Sequence, residues 1–142
     1  MAIDHKYTVM CDQVRREDNA KWLLIGVYED SMGLPQLPAP VPGLTFFMRL
    51  ESDRIGVWNA NVRLEHSESG RRIFEGMVLL NFQRPGAGMV PVPTPPFHFE
   101  AVGMYNFVMQ IQGQENNPII HHFSVVLNTQ RPPQAGQPGQ GR

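Results

Sequence analysis

Between Gly103 and Gly113 the chain reads Gly-Met-Tyr-Asn-Phe-Val-Met-Gln-Ile-Gln-Gly, a two-residue alternation bounded by glycines. A strand turns successive side chains to opposite faces, so Tyr105, Phe107, Met109 and Ile111 share one face, and Asn106, Gln110 and Gln112 the other. Similar alternation recurs between clusters of turn residues, which favours a sandwich or barrel over a helical bundle. The expected class is all-β: a two-sheet antiparallel β-sandwich, immunoglobulin-like or C2-like, of about eight strands.

The expected strands are 7–14, 21–28, 44–52, 57–66, 72–82, 97–102, 103–113 and 119–127. In the third, Leu44, Phe46, Met48 and Leu50 point inward, which leaves Phe47 as an exposed aromatic. Trp58, Ala60, Val62 and Leu64 point inward in the fourth. Phe74, Val78, Leu80 and Phe82 do so in the fifth, with Gly76 at a bulge. The second strand is apolar on both faces, which suits a central position or cover by a partner. Every proline falls outside these strands, as hydrogen-bonded ladders require of central positions. The connections 15–20, 67–71 and 113–118 read as hairpins. Two others, 30–43 and 83–96, are long and proline-rich. Pro35, Pro38, Pro40 and Pro42 would hold the first in an extended, polyproline-like path. The sandwich domain therefore spans 1–128. The segment 129–142, TQRPPQAGQPGQGR, has too little apolar surface to offset its own ordering and reads as a flexible Gln/Pro/Gly-rich tail.

A chain of 142 residues with a formal charge of −1 suits one domain with no pull toward polyanions. Arg15-Arg16 and Arg71-Arg72 are the paired basics; loop alternation sets them at opposite ends, so nucleic acid is not an expected partner. The apolar run 22–27 is too short to span a bilayer. No leader-like apolar stretch follows Met1, and the single cysteine, Cys11, cannot form an internal disulfide. A cytoplasmic setting is expected.

The stretch from Met10 to Tyr28, containing CDQVRREDNAKWLLIGVY, resembles the opening of a family of small bacterial domains of unknown function. Those domains begin with a strand ending near Cys-Asp, then Arg-x-Glu, Asn-Gly-Lys and a Leu-Ile-Gly-Val-Tyr strand. The resemblance continues into Leu44-Thr45-Phe46-Phe47. It implies a β-sandwich and no catalytic residues. Ala20 stands where that pattern has glycine, at a turn position that favours positive φ. Separately, Gly103-Met104-Tyr105 resembles the Gly-x-Tyr strand opening of immunoglobulin-like sandwiches, where the tyrosine hydroxyl can lock a sheet-to-sheet corner.

Three constellations compete for function. Trp22, Tyr28, Phe47, Leu34 and Leu37 are apolar where a lone sandwich is often wet, and interface cores favour aromatic residues. They suggest a non-catalytic module that binds a protein partner or itself, through this face or an exposed strand edge. The alternative is a loop-end site. If every connection reverses the chain, 15–20, 53–56, 83–96 and 113–118 gather at one end. That end would collect Glu17, Asp18, Asp53, Glu115, Asn116 and Asn117, oxygen ligands suited to calcium or a small polar molecule. The third is a metal-dependent hydrolase using His98, Glu100 and His122, provided the sixth and eighth strands are neighbours. Cys11 reads as a small core residue rather than a nucleophile. Neither a nucleophile elbow nor a phosphate loop is present, and no cofactor is expected.

Overall fold

The computed structural model describes residues 2–128. Eleven strands fill them: β1 (Ile3–Arg16), β2 (Trp22–Tyr28), β3 (Ser31–Leu34), β4 (Ala39–Val41), β5 (Thr45–Ser52), β6 (Gly56–His66), β7 (Arg72–Phe82), β8 (Gly86–Pro93), β9 (Phe97–Phe99), β10 (Gly103–Ile111) and β11 (Ile119–Leu127). One sheet has the order β2-β1-β5-β8 and the other β3-β11-β10-β6-β7, with β4-β9 as a separate ribbon. All pairings are antiparallel except β3 with β11.

The inward parity of the main strands holds. Phe46 of the first sheet stacks on Phe107 of the second, with ring centroids 3.9 Å apart. Met48, Leu50, Leu64, Leu80, Met109 and Phe123 are buried around that pair. These aromatic contacts add to the area each ring removes from water. At the top of β10, the Tyr105 hydroxyl donates to the Ala101 carbonyl at 2.6 Å, which is the corner lock expected of Gly-x-Tyr. Beside it, buried His66 bonds the Val102 carbonyl through Nε2 at 3.0 Å and Ser69 Oγ through Nδ1 at 2.8 Å.

Three strands were not expected. β3 and β4 lie in the segment 30–43, and β8 lies in 83–96. Pro40, Pro91 and Pro93 therefore sit inside strands, against the proline argument. β8 is the outer strand of its sheet and β4 belongs to a two-stranded ribbon, so each can turn a missing N–H away from its ladder. Gly76 is not a bulge: it pairs regularly with Val62, and the irregularity falls between Leu64 and Glu65.

The loop alternation fails because the segment between β2 and β5 makes no net reversal: both strands run antiparallel to β1. β5 runs antiparallel to β1, bringing Ser52 opposite Ile3. The connection 53–55 thus lies at the start of β1, whereas the β1–β2 turn lies at its end. β6 then runs away from that starting end, so the β6–β7 turn lies far from the connection 53–55. The tail expected at 129–142 lies outside the described residues.

Two further expectations are corrected. β2 is an edge strand, not a central one. Phe47 is only 3% exposed. Its neighbour Phe46 points into the core, so Phe47 points to the opposite side of β5, and the end of the β1–β2 hairpin folds over it.

Candidate functional site: the open edge of β2

β2 is Trp22-Leu23-Leu24-Ile25-Gly26-Val27-Tyr28, a strand without a charge or a proline. One side pairs with β1, from Met10↔Tyr28 to Arg16↔Trp22. Among the described residues, no strand pairs with its other side. Edge strands usually carry charge, proline or a bulge that deters further pairing. β2 has one irregularity, Gly26, whose φ is +68°. A Cβ at Gly26 would collide with the Asp12 carboxylate, so only glycine fits. That carboxylate accepts a hydrogen bond from the Tyr28 hydroxyl at 2.7 Å. Burial, reinforced by the bond to Asp12, pushes the Tyr28 phenol up to about 12.

The two faces of β2 differ. Trp22, Leu24 and Tyr28 are half-buried. The Trp22 ring stands edge-on to Phe47 at 5.3 Å, and the Arg16 guanidinium lies 4.4 Å above the Trp22 ring. Leu23, Ile25 and Val27 are 44%, 39% and 54% exposed. Their neighbours across the ladder are Arg15, Gln13 and Cys11. Covering the exposed part of each aliphatic side chain would return about 1 kcal/mol. Lys21 precedes this row and Glu29 follows it; both are exposed, and neither joins an ion pair among the described residues.

The expected binding face is therefore only partly assembled. Trp22 and Tyr28 flank the edge, but Phe47 and Leu34 are buried, and Leu37 packs against the core. Within β2 the exposed apolar side chains are Leu23, Ile25 and Val27, none of them among the residues expected from the sequence. Their signal was present in the two-faced apolarity of 21–28.

The loop-end set does not gather. Asp53, Glu115 and Asn116 belong to the end where β1 starts. There the Gln114 side chain accepts from the Ile3 N–H at 2.7 Å and donates to the Ile3 carbonyl at 2.9 Å. Glu17 and Asp18 lie in the turn at the far end of β1. Asp53 is paired with Arg54 at 2.7 Å, and that bond holds its carboxyl below the usual range.

The metal set is also dispersed. β9 pairs with β4, not with β11. His98 faces Pro40, Glu100 is ion-paired with Arg71, and His122 is bonded to the Asn106 side chain. Among the described residues, no group of three His, Cys, Asp or Glu side chains is placed to hold a metal ion. Cys11 is fully buried, and that burial pushes its thiol up, opposite to the shift an activated nucleophile needs. A depression of about 420 Å³ on the outer face of the second sheet holds Arg63 and Arg72. Each is already matched, Arg63 by Glu65 and Gln110 and Arg72 by Glu75.

A family model described as a family of unknown function (DUF6941) matches residues 6–133. No curated protein matches the chain. Among solved structures the chain is similar to the β-glucosidase EmGH1 from Erythrobacter marinus, at 13% identity and a TM-score of 0.47. That match covers 88% of this chain and 15% of the other. Among the described residues, no helix is long and apolar enough to cross a membrane.

Proposed function

The chain belongs to this family of unknown function, and from that premise we propose that it is a non-catalytic interaction module, acting in the cytoplasm, that takes a protein partner by strand addition at β2. One observation carries the reading: β2 is an uncharged edge strand whose outer side is unpaired among the described residues and whose Leu23, Ile25 and Val27 stay exposed there. Main-chain hydrogen bonds to an added strand supply affinity, and alternate side chains supply selectivity. The lysine and glutamate at its two ends frame the docking length. The edge-on Trp22–Phe47 contact and the Arg16 guanidinium over the Trp22 ring anchor the strand from its other face.

The test compares wild-type, Ile25→Lys and Val27→Lys proteins as baits in extracts of the native host, with bound proteins quantified by mass spectrometry. A partner held by wild type and lost from both variants, at unchanged melting temperature, supports the reading. Identical bound sets for all three baits refute it.

A further inference from the structure

We infer that the strand added at β2 is β2 of a second copy of this chain, paired antiparallel about Ile25. This rests on the reading of β2 as a docking edge and names its occupant. An antiparallel self-pairing centred on Ile25 sets Leu24 against Gly26, Leu23 against Val27 and Trp22 against Tyr28. It also sets Lys21 against Glu29, and the two-fold axis produces that charge pair twice. The end charges of β2 thus have opposite sign at equal distances from the centre, the condition for a self-complementary, isologous contact. Any register shifted by one or two residues would set Lys21 or Glu29 against an apolar residue or leave it unmatched.

The chemistry of the row agrees. Leu23, Ile25 and Val27 would meet the same three side chains of the second copy, aliphatic against aliphatic, with no like charge opposed. The ladder is weakest at the Leu24/Gly26 positions, because the φ of +68° at Gly26 already interrupts pairing with Asp12. Pairing two strands of seven residues buries an area at the low end of the interface range, below about 1,200 Å². The dimer is therefore reversible and concentration-dependent, and it joins two four-stranded sheets into one.

Sedimentation velocity on the full chain tests this, with protein from about 10 μM to about 1 mM, a span that covers weak interfaces of this size. Wild type should pass from monomer to dimer across that range. Lys21→Glu opposes Glu to Glu29 at both ends, and Glu29→Lys opposes Lys to Lys21. Each should weaken the dimer about tenfold, because two attractive pairs become repulsive. The double swap Lys21→Glu/Glu29→Lys should restore the wild-type dissociation constant to within about threefold. All four proteins should melt alike, since both positions are exposed. A wild-type monomer at every concentration overturns the inference, as do single variants that dimerise like wild type or a double swap that fails to restore pairing. Such a result leaves the docking-edge reading standing if the Ile25→Lys and Val27→Lys baits still lose a partner, and removes both if they do not.

Discussion

Replacing Ala20 with glycine should stabilise this protein. Ala20 closes the β1–β2 turn, where its N–H donates to the Glu17 carbonyl at 3.0 Å and the Glu17 N–H donates to the Lys21 carbonyl at 2.8 Å. Its φ is +66°, the one positive value at a non-glycine position among the described residues. A left-handed conformation costs an L-residue about 1–2 kcal/mol. Glycine removes that cost but adds about 0.4–1 kcal/mol of unfolded-state entropy. Ala20 is exposed, so no packing is lost. The balance is a gain of about 0.5–1 kcal/mol, or roughly 2–4 °C for a domain of this size. Gly70 provides the mirror experiment. Its φ is +71°, and a Cβ there meets nothing within 4 Å. Gly70→Ala should therefore destabilise by a similar amount through backbone strain alone. Calorimetry and urea unfolding read both effects, with unchanged urea slopes. If Ala20→Gly leaves the transition in place or lowers it, the strain argument is wrong.

Tyr105→Phe keeps the ring in the core and removes the bond to the Ala101 carbonyl, so it should cost about 1 kcal/mol in urea unfolding; no change would mean the corner is held by ring packing alone. His121 gives a pH dependence. Its buried Nε2 has no hydrogen-bond partner among the described residues, and burial holds the ring below its ordinary value of 6.5. The unfolded chain therefore binds more protons as the pH drops below 6.5, so this contribution is intact above that value and is lost as the pH falls. His5 is lowered by burial as well and acts in the same direction. His121→Phe, which can pack beside Phe46 and Phe123, should flatten the decline in urea midpoint between about pH 7 and about pH 5. An undiminished acid slope in that variant would place the sensitivity elsewhere.

The strands that carry the core were legible because parity and burial coincide there. Phe46, Leu64, Leu80 and Phe107 could point only one way without exposing large apolar area. Short strands gave no such signal. β3 and β4 have four residues or fewer, too few for alternation to stand out. β8 runs through Gly86, Gly88, Pro91 and Pro93, residues whose composition marks loops. The direction of β5 was lost for another reason: the segment between β2 and β5 makes no net reversal, which moves the end at which Asp53 lies, so the loop-end set Glu17/Asp18/Asp53/Glu115/Asn116 dissolved. An acid cluster inferred by counting reversals is only as sound as the count.

The misplacement of β2 has a different cause. Apolar residues on both faces of a strand record that both faces are meant to be covered, and nothing in residue type says which molecule provides the cover. Inside one chain the cover would come from flanking strands and a second layer. Trp22 has that cover through Phe47, and Leu23, Ile25 and Val27 do not. Edge strands that stay monomeric usually carry a deterrent, and within β2 the Gly26 irregularity is the sole candidate for one. Here the charges stand just outside the strand, one of each sign, at positions that repel no antiparallel copy of the same strand. A monomer gains nothing from that placement, whereas a two-fold pair gains two ion pairs and a register. The swap of Lys21 and Glu29 separates these cases more sharply than any truncation of the apolar row, because it leaves the buried surface unchanged and alters only which alignment is favoured.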